Sequence, residues 1–306
     1  MKRVSVRIPA STANLGPGFD ALGLALELYT TLTFLLLDED DTQIPLVTLE
    51  GELKKQLPAD KTNLVWQLLS LLWCDKPELL SRVRINIASE IPLGRGLGSS
   101  AATTLGTVWA AAALDGGTID NDAVLTKSAA FEGHPDNVAA SLYGGLVVCS
   151  RSCTGNQIVT TKLTWPDEWC TLIVVPPYQL ATKEARAVLP GSVPLADAVS
   201  NIQNVAQLIS AVHTRDETAL VNALHDRIHE PYRLRLVPEL AELRAALANL
   251  PVLGCVLSGA GSAVLVVVQR RHKEQIVQVL HSWMAARKPT SQLFDLAVAR
   301  RGIELI

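Results

Sequence analysis

The stretch Pro92-Leu93-Gly94-Arg95-Gly96-Leu97-Gly98-Ser99-Ser100-Ala101-Ala102 decides how this sequence is interpreted. It follows an apolar run typical of a strand, residues 83–88, and it opens a run typical of a helix, residues 99–114. Glycines at alternate positions let the backbone approach an anion closely, and the N-terminus of the following helix contributes its positive dipole end. The stretch therefore predicts a loop that holds phosphate.

Other phosphate-binding motifs fit this loop less well. A Walker A loop would end in Gly-Lys-Ser or Gly-Lys-Thr, and the dinucleotide-binding fingerprint needs its third glycine one residue later than Gly98. The glycine-rich loop of protein kinases is excluded because no His-Arg-Asp or Asp-Phe-Gly sequence follows. A glycine-rich turn capped by Ser99 and Ser100 is the alternative, so the phosphate hypothesis depends on the other motifs of the chain.

Composition limits the classes of function. The 306 residues are 48% hydrophobic, which allows a large core and favours two packed domains. A formal net charge of -3, with Lys and Arg scattered along the chain, argues against nucleic acid as a partner. No stretch reaches the roughly 18 consecutive apolar residues of a membrane span, and no signal peptide is evident. The five cysteines, none at the two-residue spacing of zinc or redox sites, predict reduced thiols in a cytoplasmic protein.

The pattern of apolar residues predicts an α+β fold, because strands and helices mix without regular alternation. Strands are predicted at residues 4–8, 28–37, 83–88, 146–149, 172–175, 256–258 and 263–268. Helices are predicted at residues 63–74, 99–114, 121–131, 197–213, 217–227, 239–248 and 273–286. The polar, turn-rich segment 151–169 is the predicted connection between an N-terminal domain, residues 1–165, and a C-terminal domain, residues 166–306.

Three further stretches have the composition of a functional site. Residues 9–23, Pro-Ala-Ser-Thr-Ala-Asn-Leu-Gly-Pro-Gly-Phe-Asp-Ala-Leu-Gly, form a Gly/Pro loop in which Asn14 and Asp20 could bind a ligand or the loop's own backbone. Residues 257–263, Leu-Ser-Gly-Ala-Gly-Ser-Ala, lie between two apolar runs. Residues 131–138, Phe-Glu-Gly-His-Pro-Asp-Asn-Val, put Glu132 at the end of a predicted helix, where its carboxylate could reach Mg²⁺ or be solvated.

Taken in their order along the chain, the four motifs resemble those of the galactokinase, homoserine, mevalonate and phosphomevalonate (GHMP) kinase superfamily. Pro-x-x-x-Gly-Leu-Gly-Ser-Ser-Ala resembles the phosphate loop of that superfamily, and residues 9–23 and 131–138 are similar to motifs of the homoserine kinase family within it. Ser262 departs from the pattern, because a proline is usual there, and this leaves the shape of the third loop open. The resemblance implies an N-terminal domain like domain 2 of ribosomal protein S5 and a ferredoxin-like C-terminal domain.

The resemblance also implies an activity, the ATP-dependent phosphorylation of the side-chain hydroxyl of L-homoserine to O-phospho-L-homoserine in threonine biosynthesis. It implies ATP and Mg²⁺ as cofactors, homoserine as the small-molecule partner, no membrane partner and a homodimer. Another GHMP-type small-molecule kinase is one alternative, and Glu-Gly-His-Pro-Asp-Asn is the sequence that discriminates against it. A non-catalytic relative that senses ATP or an amino acid is the other, and the presence of Ser99, Ser100 and Glu132 argues against it.

The same resemblance assigns roles to individual residues. The phosphate loop from Pro92 to Ala102, together with Asn63, would bind the nucleotide. Ser100 and Glu132 would hold Mg²⁺, and the catalytic residues would be Glu132, Ser100 and Asn137. The amino-acid substrate would contact Asn14, Asp20, His134, Asn137, Thr182, Arg186 and Arg233. The two arginines suit its carboxylate because guanidinium groups bind carboxylates bidentately.

Some roles stay open at this point. Asp136 is a nearby carboxylate that could act as general base, but the resemblance argues against requiring one. His134 could contact the substrate or pack beside Pro135. His225 and His229 lie four residues apart, the spacing of zinc ligands that share one face of a helix. An aspartate replaces the glutamate of a zincin helix and a third ligand is not evident, so zinc is disfavoured.

Overall fold

The computed structural model describes residues 1–39, 43–153, 155 and 157–306, which form two β-sheets and their covering helices. The strands are β1 (Lys2–Ala13), β2 (Leu22–Leu36), β3 (Val47–Leu49), β4 (Val83–Ser89), β5 (Leu146–Arg151), β6 (Ile158–Leu163), β7 (Trp169–Val175), β8 (Val252–Leu257), β9 (Val264–Gln269), β10 (Gln292–Leu296) and β11 (Glu304–Leu305). The α-helices are α1 (Leu53–Gln56), α2 (Leu64–Leu72), α3 (Pro77–Arg82), α4 (Ser99–Leu114), α5 (Asn121–Glu132), α6 (Asp136–Tyr143), α7 (Thr182–Ala187), α8 (Leu195–Thr214), α9 (Glu217–Ala223), α10 (Glu230–Arg233), α11 (Glu239–Leu247) and α12 (Lys273–Arg287).

Each sheet gathers strands from a different part of the chain. The first has the order β11-β1-β2-β4-β3, with β5 paired to β2 and β6 to β5, and the second has the order β10-β7-β9-β8. Neighbouring strands are antiparallel except β3 and β4, which are parallel. This mixture confirms the α+β class. The boundary at residue 165 stays a prediction, and Thr154 and Asn156 of the predicted connection lie outside the described residues.

The first two strands are longer than the sequence pattern predicts. β1 does not stop at Pro9 but continues to Ala13, and its register with β2 shifts between Pro9 and Ala10. An irregularity of this kind tolerates a residue that cannot donate an N–H. β2 begins at Leu22, several residues before the predicted start. The loop that begins at Asn14 therefore connects two strands that are paired up to its base.

The helix after the phosphate loop packs very closely on the first sheet. α4 lies on β1 and β2, with α2 and α5 beside it. A Cβ built on Gly106 would lie 2.8 Å from Ile8 Cδ1 and 2.9 Å from Leu32 Cδ1, so a side chain would not fit there without displacing its neighbours. Small residues on this helix allow the close approach, which holds the N-terminus of α4 next to the end of β1.

The second sheet is buried on both faces. In β7, Leu172 and Val174 belong to an apolar cluster with α11 and α12, whereas Ile173 and Val175 belong to the cluster that contains the first sheet. Successive side chains of a strand point to opposite faces, so a strand covered on both sides has an uninterrupted apolar sequence. One face of the second sheet therefore shares a core with the first sheet, and its other face packs on α11 and α12.

The C-terminal half contains the largest error in the predicted helices. α9 ends at Ala223 and not at residue 227, so His225 and His229 do not share a helical face and the geometric argument for a zinc pair was wrong. Short elements with too little periodicity to be recognised were not predicted, among them α6, α7, α10, β3, β6, β10 and β11. Within the described ranges, none of the helices is both long enough and apolar enough to cross a membrane.

Candidate active site

The loops quoted from the sequence meet in one cleft of about 90 Å³. Most of the predicted site residues line it. Those from the phosphate loop are Gly94, Arg95, Gly96, Gly98, Ser99, Ser100 and Ala101, and those from other elements are Asn14, Asp20, Glu132, His134, Asn137, Thr182, Arg186 and Arg233. Residues that are distant in sequence are thus brought together as the motifs predict.

The phosphate loop has a backbone conformation that glycine adopts most readily. Gly94, Gly96 and Gly98 have φ values of 64°, 78° and 68°. A Cβ on Gly96 would lie 2.1 Å from Ser258 O, and a Cβ on Gly98 would lie 2.2 Å from Ser11 Oγ. The glycines are therefore required for packing within the protein, in addition to any contact with an anion.

The third loop, residues 257–263, closes against the phosphate loop. Ser258 Oγ lies 2.7 Å from Gly96 O and 2.9 Å from Thr12 Oγ1, so it connects the third loop to both other loops. Ser262, at the position where a proline is usual, follows a cis peptide bond, and its hydroxyl donates to Tyr178 O at 2.8 Å. The departure at Ser262 has not removed the loop or its contacts.

Glu132 is held at the N-terminus of α4 by two hydroxyl groups. Its Oε1 accepts hydrogen bonds from Ser100 Oγ at 2.9 Å and from Thr104 Oγ1 at 2.6 Å. Gly133, with a φ of 84°, ends α5 directly after Glu132. A carboxylate and a hydroxyl side by side are the hard oxygen donors that Mg²⁺ prefers, so Glu132 and Ser100 fit this ion.

Arg186, on α7, is paired with Asp20 of the first loop. Its Nη1 donates to Asp20 Oδ2 at 3.0 Å and its Nη2 donates to Asp20 Oδ1 at 2.6 Å, a bidentate ion pair. The hydrogen bond to Asp20 raises the pKa of Arg186 above its ordinary value. The protein itself therefore compensates the charge of Arg186.

Arg233 lies deeper and has neutral partners. It is 1% exposed, and it donates from Nε to Ala185 O at 3.1 Å and from Nη1 to His229 Nδ1 at 3.1 Å and to Gly259 O at 3.3 Å. Among the described residues, no carboxylate forms an ion pair with it. Burial, with a smaller effect of Arg186, lowers the pKa of Arg233 to about 10, which still leaves the group charged at neutral pH. Arg233 is thus a buried cation that faces the cleft without an anionic partner.

His134, Asp136 and Asn137 form a hydrogen-bonded group. His134 Nδ1 donates to Asp136 Oδ1 at 2.8 Å, which also accepts from Asn137 N at 2.7 Å. Ser11 Oγ donates to Asn137 Oδ1 at 3.0 Å. Burial is the largest single influence on His134 and acts to lower its pKa, but the hydrogen bond to Asp136 and the negative charges of Asp136 and Asp20 together raise it. Asp136 therefore orients His134 at the wall of the cleft.

The Asn14 side chain joins two loops. Its Oδ1 accepts from Asp20 N at 3.0 Å, and its Nδ2 donates to Gly259 O at 2.8 Å. Asn14 has a φ of 71°, a left-handed conformation that asparagine tolerates better than most residues. Although it borders the cleft, these contacts correspond to the backbone-bonding alternative considered for this residue.

Some predicted nucleotide residues do not line the cleft. Leu97 and Ala102 are buried in the core, and Pro92 and Leu93 also lie outside the cleft wall. Asn63 is 2% exposed, and its side chain caps α2 by accepting from Val65 N and donating to Pro58 O. Pro92, Leu93, Leu97 and Ala102 therefore support the phosphate loop from outside the cleft, and Asn63 supports the start of α2.

A cavity of about 410 Å³ with a mixed polar and apolar lining adjoins the cleft at Ser100 and Glu132. Its volume is within the roughly 300 to 1,000 Å³ typical of ligand pockets, whereas the cleft alone is smaller. Large apolar side chains of α2 and α5 line it: Leu64, Leu68, Leu71 and Phe131. Leu71 is 63% exposed and Phe131 39% exposed, so part of this apolar surface is accessible to a ligand.

Two contributors to the site were not predicted. The Phe19 ring stacks on His229 with centroids 5.1 Å apart, and the guanidinium carbons of Arg186 and Arg233 each lie 5.4 Å from its centroid. Its place directly before Asp20 was a signal for its role. Thr104 was detectable from its spacing, because it lies four residues after Ser100 on the same face of α4.

Comparison with known proteins gives a consistent result. The family models described as GHMP kinases N terminal domain and GHMP kinases C terminal match residues 63–145 and 208–286. Homoserine kinase of Desulfitobacterium hafniense is 36% identical over 303 residues, which cover 99% of this chain and 100% of that protein. Homoserine kinase of Solibacter usitatus is 38% identical over 301 residues, 98% of this chain and 96% of that one. The crystal structure of homoserine kinase from Cytophaga hutchinsonii matches with a TM-score of 0.84 at 28% identity, covering 100% of this chain and 98% of that chain.

Proposed function

Because this chain belongs to the homoserine kinases, a family of GHMP kinases, we propose that it transfers the γ-phosphoryl group of ATP to the side-chain hydroxyl of L-homoserine. The product is O-phospho-L-homoserine, an intermediate of threonine biosynthesis. The observation that carries this proposal is the position of Arg233, a buried cation without an anionic partner, in the same cleft as the phosphate loop. An amino acid offers a carboxylate for Arg233 and an ammonium group for Asp20. Mevalonate also offers a carboxylate, but it has no ammonium group.

The nucleotide end of the cleft, formed by residues 94–101 and Glu132, would hold the triphosphate. The backbone N–H groups of the glycine loop and the N-terminus of α4 stabilise negative charge without a side-chain cation. Ser100 and Glu132 would hold Mg²⁺, which when bound supplies positive charge to the transferring phosphoryl oxygens. Thr104 keeps the Glu132 carboxylate in place through its 2.6 Å hydrogen bond.

The nucleoside would extend from the phosphates into the cavity of about 410 Å³ beside Ser100. Leu64, Leu68 and Phe131 offer an apolar surface there that matches the faces of a purine base. A bound base would cover the exposed part of this apolar surface, which is favourable because apolar area is removed from water.

The amino-acid end of the cleft, formed by Asp20, Arg186 and Arg233 with His134 and Asn137, would bind homoserine. Arg233 takes the carboxylate because, among the described residues, no carboxylate forms an ion pair with it, although the charges of Asp20, Asp226 and Glu230 act on it at longer range. Asp20 takes the ammonium through lone pairs that Arg186 leaves available. Two anchored ends of a small substrate leave its hydroxyl directed toward the phosphate loop. Phosphoryl transfer depends mainly on such alignment and on charge stabilisation.

A coupled assay of ADP release with L-homoserine, L-serine and mevalonate tests the proposal. We expect turnover to require MgATP and to be faster with homoserine than with either other alcohol by at least about tenfold in kcat/KM. Preference for mevalonate would make the chain another small-molecule kinase. ATP binding without turnover of any alcohol would favour the sensing relative.

A further inference from the structure

His229 is a buried side chain that the proposed reaction does not use directly, and it connects the first loop to Arg233. It is 0% exposed and precedes α10. Its Nε2 lies 2.8 Å from Gly16 O, and its Nδ1 lies 3.1 Å from Arg233 Nη1. The ring also stacks on Phe19, which belongs to the same loop as Gly16. His229 is therefore placed to transmit the position of the first loop to Arg233.

The two polar contacts fix the protonation state of the ring. A carbonyl oxygen accepts hydrogen bonds only, so Nε2 must carry the hydrogen that faces Gly16. A guanidinium group donates only, so Nδ1 must offer its lone pair to Arg233. The neutral Nε2–H tautomer satisfies both partners. Burial and the charge of Arg233 favour this neutral form, whereas the carboxylates of Asp226 and Glu230 oppose it.

We propose that His229 is a positioning residue that aims Arg233 at the carboxylate of the amino-acid substrate without neutralising the guanidinium charge. This inference rests on the proposed function. A carboxylate in the position of the imidazole would form an ion pair, as Asp20 does with Arg186, and would compete with the substrate. A neutral acceptor orients the guanidinium group and leaves its charge for the ligand.

The other contacts of Arg233 also orient its guanidinium group without neutralising its charge. Its three hydrogen bonds go to a histidine nitrogen and to the carbonyls of Ala185 and Gly259, all of them neutral. Among the described residues, Arg233 Nη2 has no hydrogen-bond partner, although Nε and Nη1 are both engaged. The group is therefore held on one side and open on the other, as capture of an anion requires.

Two variants separate the contact with Arg233 from the contact with the first loop. Asparagine places an amide oxygen near the position of Nδ1, so His229→Asn keeps the acceptor and loses the donor to Gly16. Glutamine places an amide nitrogen near the position of Nε2, so His229→Gln does the reverse. We expect the homoserine KM to rise roughly tenfold in His229→Gln and by no more than about threefold in His229→Asn, with the ATP KM unchanged in both. An equal or larger rise in His229→Asn overturns the proposal.

The effect must also pass through Arg233. In an Arg233→Ala background, His229→Gln is expected to add less than about twofold to the homoserine KM, because its target is gone. If the two changes multiply, His229 acts independently of Arg233 and the proposal fails.

A substrate-free measurement keeps this inference distinct from the proposed function. In ¹⁵N spectra of histidine-labelled wild-type protein at about pH 7.5, His229 is assigned by the signals that disappear in His229→Gln, and we expect a neutral Nε2–H ring. A doubly protonated ring or the Nδ1–H tautomer contradicts the positioning role even if homoserine is turned over. Failure of wild-type protein to phosphorylate homoserine, with the expected tautomer present, would instead overturn the proposed function.

Discussion

The nucleotide end and the amino-acid end of the cleft are built to hold anions by different means. At the nucleotide end the loop 92–102 contains one cation, Arg95, and its guanidinium donates to Pro176 O and Pro177 O. The groups of this loop that can bind phosphate are therefore the backbone N–H groups and the N-terminus of α4. At the amino-acid end the binding groups are the charged side chains of Arg186, Arg233 and Asp20. The metal ion already neutralises part of the charge of a polyphosphate, so backbone dipoles of the protein are enough to bind and align it. A single carboxylate has no metal ion and is bound by a charged side chain. We therefore expect changes at the nucleotide end to reduce kcat and changes at the amino-acid end to raise the homoserine KM.

The largest effect is expected at Glu132. In Glu132→Ala, kcat should fall by about a hundredfold or more, because charge on the transferring phosphoryl group loses the ion that Glu132 would hold. The homoserine KM should stay within about threefold, since the groups that bind the amino acid are unchanged. The ADP-release assay at saturating substrates measures both.

Glu274→Ala, which removes an exposed glutamate from the first turn of α12, is the matched control and should leave kcat unchanged. A Glu132→Ala enzyme within about tenfold of wild type, or about 1.4 kcal/mol of barrier, would show that this carboxylate does not serve the reaction.

The second prediction distinguishes the two arginines of the amino-acid end. Arg233→Ala should raise the homoserine KM by roughly tenfold to a few hundredfold, because a desolvated charge-assisted contact is lost. Arg186→Ala should raise it by less than about tenfold, because Asp20 already compensates that charge. Kinetics with both substrates varied should show the ATP KM within about twofold of wild type for both variants.

Arg233→Lys sharpens the same comparison, because it keeps the charge and loses the planar group that contacts Ala185 O and His229 together. An intermediate KM is expected. Equal effects of Arg233→Ala and Arg186→Ala would mean that compensation by Asp20 does not decide which arginine takes the carboxylate, and an equal loss for ATP would assign both to the nucleotide.

The third prediction concerns the packing that forms the nucleotide end. Gly94 and Gly96 have similar positive φ values, but a Cβ on Gly96 would meet the backbone atom Ser258 O at 2.1 Å, whereas the nearest atom to a Cβ on Gly94 is Gln179 Cβ at 3.4 Å. Gly94→Ala should lower the free energy of unfolding by about 1 kcal/mol from backbone strain alone. Gly96→Ala should lower it by about 2 kcal/mol or more, because overpacking adds to the strain.

Urea unfolding of both variants measures these differences. Equal losses of stability would show that Ser258 moves readily to make room for a methyl group on Gly96. The phosphate loop would then not be fixed by its contact with Ser258. The comparison also explains why substitution of these glycines cannot report nucleotide contact alone.

The sequence predicted the motifs of the site better than their contacts. Gly-Leu-Gly-Ser-Ser before a helical run was sufficient to predict a glycine-rich loop that opens a helix, because turn chemistry and helix periodicity are local, whereas its binding of phosphate was predicted only with the other motifs. The hydrogen bond between Asn14 and Gly259 and the ion pair between Arg186 and Asp20 join chain segments more than 150 residues apart. The partners of Arg233 lie up to 48 residues away along the chain. Pro9 misled the strand prediction because a register shift beside it, which only pairing reveals, lets β1 continue.

The smallest expected effect concerns His134, at the wall of the amino-acid end of the cleft. It tests whether the charged form of His134 contributes to the stability of the fold. Burial opposes protonation of His134 most strongly of any single cause, but the hydrogen bond to Asp136 and the charges of Asp136 and Asp20 together raise its pKa above the ordinary value of about 6.5. A histidine with a raised pKa binds its proton more tightly in the folded state, so its contribution to stability is complete below about pH 6.5 and is lost as the pH rises through the folded-state pKa. His134→Gln should therefore lower the melting temperature more at about pH 5.5 than at about pH 8.5, as scanning calorimetry would show. His281→Gln, at an exposed histidine of α12, is the control and should show no such dependence. Asp136→Asn should abolish the dependence, because the carboxylate causes it. A larger loss at the higher pH would mean that His134 is held as a neutral ring, and the amino-acid end would then contain one charge fewer than its geometry indicates.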